Sequence, residues 1–259
     1  MVLKDEREVS AMYNSVGKHY HYDRTKRYPD GWFYNELVEM PAMLDMLGRV
    51  NNKKVLDFGC GSGIYAKLLT KKGAKVSGFD ISKTMLSIAK KENPKLDLRL
   101  GSGYKIPFTE EFDIVQASLV LDYLKDWDKV FKEVYRVLKP NGIFVFSIPN
   151  PVVNGSTGVK IDENRYKIVH DYFKEELFYE TWGIDKGPRG NIEQIKVPNY
   201  HKTYETIIKT ILRNGFEIID YKDAVPIEKA KKLFPGRYYA YHKIPTFCVW
   251  KVSKKSNKA

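Results

Sequence analysis

Short apolar runs of strand length alternate with amphipathic runs of helical period along most of this chain. The runs that predict strands recur seven times, at residues 54–58, 75–80, 96–100, 112–117, 143–148, 216–222 and 246–252. Strands that alternate with helices build an open sheet with helices on both faces. The pattern therefore predicts an α/β fold with a seven-stranded, mostly parallel sheet.

Two helical stripes indicate which helices cover this sheet. The first consists of Trp127, Val130, Phe131, Val134 and Leu138, ahead of Pro140 and Asn141-Gly142. The second consists of Tyr204, Ile207, Ile208, Ile211 and Leu212, ahead of Asn214-Gly215. Apolar side chains at this spacing share one helix face, so we expect both stripes to be core.

A glycine loop after the first predicted strand is the segment with the clearest chemistry. Val55 to Gly63 reads Val-Leu-Asp-Phe-Gly-Cys-Gly-Ser-Gly, and the next predicted strand ends on Asp80. Glycines let the backbone turn sharply and approach a ligand, and an acid at the next strand end can hold two ribose hydroxyls. No Gly-Lys-Ser/Thr follows, and Ile64 stands where a dinucleotide fingerprint has a small residue. A nucleoside site remains, with a merely tight strand-to-helix connection as the structural alternative.

These segments resemble the class I S-adenosylmethionine-dependent methyltransferases, in the small-molecule branch called methyltransferase type 11. Residues 55–63 are similar to the family's first motif and residues 78–82 to its ribose-binding strand end. Residues 100–108 resemble the adenine-flanking segment, and residues 112–142 the fourth strand through the turn into the fifth. The family commonly has an acid where this chain has Ser102, and that acid accepts a hydrogen bond from the adenine amino group.

The resemblance implies a Rossmann-like sheet whose last strand inserts antiparallel beside the sixth. It also implies S-adenosylmethionine as cofactor and S-adenosylhomocysteine as product. The cofactor-binding residues that it implies are Asp57, Gly59, Cys60, Gly61, Asp80, Ile81, Ser82, Ser102, Gly103, Ala117 and Ser118. An acid at position 57 suits the cationic amino group of such a cofactor.

Two segments lie outside the alternating pattern, and we expect them to determine which acceptor is used. Residues 1–50 form a predicted helical arm before the methyltransferase domain of residues 51–259, and residues 149–201 form an insertion after the fifth strand. The aromatic residues of the arm are Tyr13, Tyr20, Tyr22, Tyr28, Trp32, Phe33 and Tyr34. The resemblance implies that the arm closes over the methionine half of the cofactor as a lid. Loops beyond strand ends carry function in open sheets, so we expect the insertion to cover the acceptor. The alternative is that these rings pack one more helix on the sheet.

Methyl transfer from a sulfonium is an in-line displacement, which depends on positioning in a dry pocket. An acceptor that must lose a proton needs a base within hydrogen-bond reach. The candidates are His170 and Tyr172 in the insertion and His201 just before the second stripe. Relatives often have a Ser-x-x-His-Pro run after the fifth strand, but here Asn150 stands at the histidine position. For each histidine a purely structural role is the alternative.

Missing motifs limit the class of acceptor. The chain has no Asp/Asn-Pro-Pro-Tyr/Phe run for a planar base amino group, and no Pro-Cys or Thr-Cys follows the fourth strand for attack on a pyrimidine. No His/Cys cluster has metal-ligand spacing, so the sequence predicts no metal. We therefore expect a small-molecule acceptor methylated on oxygen, nitrogen or a stabilised carbon.

Composition leaves two other functions open. Of the 259 residues 43% are apolar, and the net charge of +12 falls mainly in residues 51–100 and 201–259, at +7 and +8. Such basic segments are compatible with an RNA-modifying enzyme, although lysines at helix ends also favour the helix dipole. A cofactor-binding protein without transferase activity is the other alternative. The sequence shows no apolar span or leader, and its two isolated cysteines define no disulfide framework, so we expect a cytoplasmic protein without membrane contact. We expect a monomer or a homodimer.

Overall fold

A seven-stranded sheet with helices on both faces forms the centre of the molecule. The computed structural model describes residues 3–27, 32–109, 111–154, 157–162, 165–169, 172–185 and 192–255. The strands of the central sheet are β1 (Lys54–Phe58), β2 (Lys75–Asp80), β3 (Asp97–Leu100), β4 (Phe112–Ser118), β5 (Leu138–Pro149), β10 (Phe216–Ala224) and β11 (Phe247–Lys254). Their order is β10-β11-β5-β4-β1-β2-β3.

Six strands of this sheet are parallel, and β11 runs antiparallel between β5 and β10. The fold class predicted from the sequence is confirmed, including the inverted last strand. The fifth strand begins earlier than predicted, because Leu138 already pairs with Phe112. Four residues then bulge before Ile143 pairs with Ile114. The Pro140 to Gly142 stretch is therefore a bulge within the strand and not a turn before it.

Eight α-helices lie in the described ranges. They are α1 (Lys4–Tyr22), α2 (Met40–Leu47), α3 (Ile64–Lys71), α4 (Lys83–Glu92), α5 (Trp127–Val137), α6 (Tyr204–Arg213), α7 (Glu228–Leu233) and α8 (Pro235–Tyr241). Two π-helical segments, Asp23–Arg27 and Asn35–Glu39, join α1 to α2, and a 3-10 turn, Leu121–Tyr123, follows β4. The predicted arm is thus helical over most of its described length; Tyr28 lies outside it.

Two large apolar clusters, one on each face of the sheet, form most of the core. The cluster beneath α5 and α6 contains Phe131, Phe146 and Ile211, all fully buried. The other cluster, beneath α2 and α3, contains Met43 and Leu69. The first predicted stripe is core throughout, although its last member, Leu138, begins β5.

The second stripe is only partly core. Ile207 and Ile211 are buried, whereas Ile208 and Leu212 are exposed by 37% and 50%. Five apolar positions cover a wider arc of α6 than the sheet can bury, since residues one position apart point about 100° apart. The prediction that all five are core was therefore wrong for these two.

The insertion after β5 folds as two hairpins, which the sequence did not predict. They consist of β6 (Thr157–Asp162) with β7 (Arg165–Val169), and β8 (Leu177–Asp185) with β9 (Ile192–Tyr200). The β8–β9 hairpin packs against α1 and against the 3-10 turn after β4. It thereby places Trp182 and Val197 in one apolar cluster with Val9 and Tyr123.

No helix within the described ranges is both long and apolar enough to cross a membrane.

Candidate active site

A cavity of about 740 Å³ opens at the carboxyl ends of the parallel strands. Its walls are the glycine loop, the end of β2, the loop after β4, the helical arm and the β8–β9 hairpin. Open α/β sheets bind ligands at this edge. The volume is in the range of ligand pockets in proteins and has room for more than one small molecule.

The glycine loop forms the floor of this cavity. Gly59, Gly61 and Gly63 all have positive φ, at 66°, 53° and 80°. A Cβ on Gly59 would lie 2.7 Å from a methyl group of Val120, so no larger residue fits there without displacing that side chain. Cys60 is buried in the loop, and burial raises the pKa of its thiol, which favours a packing role over a nucleophilic one.

Asp80 lies at the end of β2 and is held by the backbone of the loop. Its Oδ2 accepts a hydrogen bond from the Gly61 N–H and its Oδ1 from the Ser82 N–H, each at 2.8 Å. Burial raises the pKa of Asp80 to about 6, although these backbone donors lower it. The carboxylate faces the cavity and not bulk solvent. Its two oxygens keep lone pairs for a further donor.

Asp57 places a buried carboxyl group beside the loop. Its Oδ1 accepts a hydrogen bond from the Gln116 side chain, and within the described residues its Oδ2 has no hydrogen-bond partner. Burial raises the pKa of Asp57 to about 7, and the nearby Asp80 adds to this rise. Because an unsatisfied buried oxygen is costly, this atom is suited to a donor group of a ligand.

The adenine-flanking segment meets an acid that the sequence analysis missed. Glu6 of α1 is buried, and its Oε1 accepts hydrogen bonds from Ser102 Oγ at 2.6 Å and from the Gly103 N–H at 2.8 Å. Glu6 and Gly103 line the cavity, whereas Ser102 does not. The resemblance implies an acid at position 102, and the serine there gave no indication of where in the chain another carboxylate lies.

The loop after β4 adds a further buried acid. Asp122 lines the cavity, and within the described part of the chain its Oδ1 has no hydrogen-bond partner. Burial and, to a smaller extent, the charge of Glu180 on β8 raise the pKa of Asp122 to about 7. Leu119 precedes it with a left-handed φ of 51°, a conformation that two hydrogen bonds from its N–H to Ser147 support.

Aromatic side chains and the Arg24 guanidinium line further parts of the cavity. The hydroxyls of Tyr13 and Tyr123 lie 2.9 Å apart, and burial raises the pKa of both well above its ordinary value. Tyr20 stacks on Trp182, and Arg24 forms an ion pair with Glu36. Because both Tyr13 and Tyr123 keep their protons near neutral pH, they are hydrogen-bond donors and not bases.

The predicted cofactor-binding residues are mostly brought together. The cavity is lined by Asp57, Gly59, Cys60, Gly61, Asp80, Ile81, Gly103 and Ser118. Ser82, Ser102 and Ala117 lie just behind the wall: Ser82 caps α4, and Ala117 is fully buried in β4. Ser118 Oγ donates a hydrogen bond to Glu39 at 2.9 Å.

Two of the three predicted bases, Tyr172 and His201, are not brought to the cavity. His201 is buried, with its Nε2 2.8 Å from the backbone carbonyl of Tyr172. The Tyr172 hydroxyl accepts a hydrogen bond from the Tyr204 N–H at the start of α6. Neither residue lines the cavity, and His170 lies outside the described residues. These contacts indicate that Tyr172 and His201 anchor the insertion to α6. No group of His, Cys, Asp or Glu in the described ranges is arranged to hold a metal.

Comparison with known proteins identifies the family. The model of the type 11 methyltransferase domain matches residues 56–146. A Haemophilus influenzae protein, described as uncharacterized, is 30% identical over 197 residues, which are 71% of this chain and 75% of that protein. The chain belongs to the class I S-adenosylmethionine-dependent methyltransferases of the type 11 branch. It is an enzyme that transfers methyl groups, and its cofactor is S-adenosylmethionine.

Two further relatives support this assignment. A Listeria monocytogenes structure, described as a putative S-adenosylmethionine-dependent methyltransferase, is 28% identical, with a TM-score of 0.71, and covers 84% of this chain and 97% of its own. The demethylmenaquinone methyltransferase of Chlorobaculum parvum is 38% identical over 106 residues, 39% of this chain. The match spans only 44% of that enzyme, and it therefore does not establish a shared acceptor.

Proposed function

We propose that this enzyme methylates a small-molecule acceptor held in the cavity between the cofactor, the arm and the β8–β9 hairpin. The observation that carries the proposal is that one cavity joins the glycine loop to a wall of arm and insertion aromatics, among them Tyr20 and Trp182. A cavity of about 740 Å³ has room for a small ring or chain beside the cofactor. The named relative acts on demethylmenaquinone, a small molecule.

The residues of the loop fit the cofactor. Asp80 would hold the ribose hydroxyls, and the unpartnered Oδ2 of Asp57 would accept a hydrogen bond from the amino group of the methionine half. The glycine loop would contact the cofactor through backbone, since Gly59 and Gly61 present no side chain there. When bound, the cofactor supplies an electrophilic methyl group. The arm (residues 1–50) and the insertion (149–201) would exclude water from it, as a lid and an acceptor cover.

We propose further that Asp122 is the base that takes a proton from the acceptor. Asp122 lines the cavity where we place the acceptor, and its Oδ1 has no hydrogen-bond partner within the described part of the chain. Its pKa of about 7 suits proton transfer near neutral pH. The methylated atom would then be an oxygen, nitrogen or acidic carbon that loses its proton to Oδ1 as the methyl group is transferred. This role replaces the one that the sequence analysis gave to His170, Tyr172 and His201.

The test is methyl transfer from labelled S-adenosylmethionine to a panel of phenols, hydroxyquinones, amines and carboxylic acids, with total RNA as the alternative acceptor. The proposal expects incorporation into at least one small-molecule class. It expects none into RNA at any salt concentration. If RNA were the acceptor, its contacts through phosphates would make methylation fall steeply with salt. Salt-sensitive incorporation into RNA alone would overturn it.

A further inference from the structure

Glu6 is a carboxylate held in position by the segment that flanks the adenine. It belongs to α1, 96 positions before Ser102 in the chain, yet Ser102 Oγ and the Gly103 N–H both donate to its Oε1. Ser102 stands where the family has an acid. The two donors fix the position of the Glu6 carboxylate and leave its second oxygen for another partner.

That second oxygen, Oε2, is buried and has no hydrogen-bond partner within the described ranges. Glu6 is only 2% exposed and lines the cavity together with Gly101, Gly103 and Phe79. A buried carboxylate oxygen without a donor costs free energy that a bound N–H group would recover. Gly101, Gly103 and Phe79 bring no charged group to this end of the cavity, which suits a planar ring.

We propose that Glu6 replaces the missing acid: its Oε2 accepts a hydrogen bond from the exocyclic amino group of the adenine. The inference rests on the proposed cofactor site and adds to it a specificity residue from a different element. It also makes α1 part of the cofactor site, so that cofactor binding should hold the arm closed. The site should therefore prefer a ring with an amino group over one with a carbonyl at the same position, because the carbonyl oxygen would face a carboxylate oxygen.

The experiment compares two ligands by calorimetry: S-adenosylhomocysteine and its deaminated analogue, S-inosylhomocysteine, which carries a carbonyl in place of the amino group. The wild-type protein is expected to bind the adenosyl ligand at least about 10-fold more tightly. In Glu6→Gln the Gly103 N–H still requires an acceptor, so the amide oxygen should take that place and the amide NH2 should face the ring. That variant should lose the preference or reverse it.

Asp5→Asn is the matched control. Asp5 is the neighbouring acid on α1, its carboxylate accepts hydrogen bonds from the Tyr104 hydroxyl and the Lys125 N–H, and it does not line the cavity. Its variant should keep the wild-type ratio of affinities. A Glu6→Gln variant that keeps the wild-type ratio would overturn the inference.

A second measurement uses the wild-type protein alone and therefore does not depend on the folding of a variant. Amide hydrogen exchange in α1 should slow more with S-adenosylhomocysteine than with an equally saturating amount of the inosyl analogue. Equal protection and equal affinity for the two ligands would overturn the role of Glu6 while leaving the cofactor site intact. Failure of S-adenosylhomocysteine itself to bind would overturn the cofactor site as well.

Discussion

Three buried aspartates face the cavity, and burial raises the pKa of each: Asp80 to about 6, and Asp57 and Asp122 to about 7. A site that binds a sulfonium with an amino group gains from carboxylates that ionise on meeting a cation. These buried carboxyl groups therefore lower the stability of the folded protein and provide charges that can interact with the cofactor and the acceptor.

The role of Asp122 as base predicts a pH profile. Below its pKa the carboxyl is neutral and cannot accept a proton, so the turnover rate at saturating cofactor should rise as pH increases through about 7. Asp122→Asn should lower turnover about 100-fold or more at pH 8 and abolish this rise. The measurement is kcat against pH.

Glu180→Gln is the companion variant, because the charge of Glu180 raises the pKa of Asp122. The rise in kcat should move to lower pH in this variant. A profile that Asp122→Asn leaves unchanged would show that another group takes the proton.

Asp57 links cofactor affinity to stability. Its pKa is raised from an ordinary value of 3.8 to about 7, so the unfolded chain releases this proton first and the folded protein loses stability as pH rises from about 4 to about 7. Asp57→Asn removes the buried charge and keeps an oxygen acceptor for Gln116. Without cofactor, its free energy of unfolding at pH 8 should exceed that of the wild type by about 1–2 kcal/mol.

Denaturant unfolding at pH 8 and pH 5 measures this difference, which should shrink at the lower pH. The same variant should bind S-adenosylmethionine more weakly. A variant that is less stable than the wild type at pH 8 would contradict the argument.

At the scale of single residues, the sequence predicted the cavity residues that lie in one contiguous motif. It missed those that come from distant parts of the chain. Asp57, Gly59 and Asp80 lie in or beside the glycine loop, where local order in the chain already determines the geometry. Glu6 and Asp122 were missed, because their place in the cavity depends on how α1 and the loop after β4 pack in three dimensions. Of the bases predicted from residue type alone, Tyr172 and His201 do not line the cavity, and His170 lies outside the described residues.

At the scale of elements, Glu39 ties the arm to the sheet. It ends the Asn35–Glu39 segment and is fully buried. Its Oε2 accepts a hydrogen bond from Tyr65 of α3 at 2.8 Å, and its Oε1 accepts hydrogen bonds from Ser118 of β4 and Ser147 of β5. Burial raises the pKa of Glu39, and these three donors lower it. The arm is therefore attached directly at the edge of the sheet where the cavity opens.

Glu39→Ala should cost about 2–4 kcal/mol of unfolding free energy, because it leaves a cavity and deprives three hydroxyls, two of them on buried residues, of their acceptor. Glu39→Gln keeps Oε1 for both serines and should cost about 1 kcal/mol, since only the Tyr65 contact changes. Denaturant unfolding distinguishes the two. An alanine variant as stable as the wild type would mean that the arm is held by its apolar contacts alone.

The arm also has a second, polar attachment. Asn14 Oδ1 accepts hydrogen bonds from Ser82 Oγ at 2.8 Å and from the Thr84 N–H at 3.1 Å, while Ser10 Oγ donates to the Ile81 carbonyl. Thus α1 lies directly on the segment that follows Asp80. The alternative considered from the sequence, that the arm aromatics only pack on the sheet, holds for Phe33, which is fully buried, whereas Tyr13 and Tyr20 line the cavity.

At the scale of the whole molecule, cofactor and fold should stabilise each other. A ligand that binds only the folded state at 100 times its Kd adds about 2.7 kcal/mol to the free energy of unfolding. For a chain of 259 residues this corresponds to a rise in Tm of about 5–10 °C. Differential scanning fluorimetry with S-adenosylhomocysteine measures it. Asp80→Ala should show a much smaller rise at the same ligand concentration, and an equal rise would exclude Asp80 from the site.

The net charge does not require a nucleic acid partner. Lys71 lies in the last turn of α3 and Lys90 and Lys91 in the last turn of α4, where cations favour the helix dipole. Lys67 pairs with Glu92 across the same surface. These contacts account for part of the basic character of residues 51–100 without reference to a partner.

The sheet was predictable because strand length, apolar content and turn residues are local properties of the chain. All seven central strands lie at the predicted places, within a few residues. The β8–β9 hairpin was not predictable, because residues 177–185 and 192–200 are mixed in polarity and pair with each other outside the central sheet. Insertions of this kind are shaped by the surface against which they pack.

The position of β11 between β5 and β10 has a consequence for synthesis of the chain. Within the described strands, β10 is joined to the sheet only through β11, although it is made earlier. Until residue 254 has left the ribosome, the edge of β5 that pairs with β11 is unpaired, and β10 has no strand partner. The growing chain therefore cannot join β10 to the rest of the sheet until β11 is available to pair with both β10 and β5.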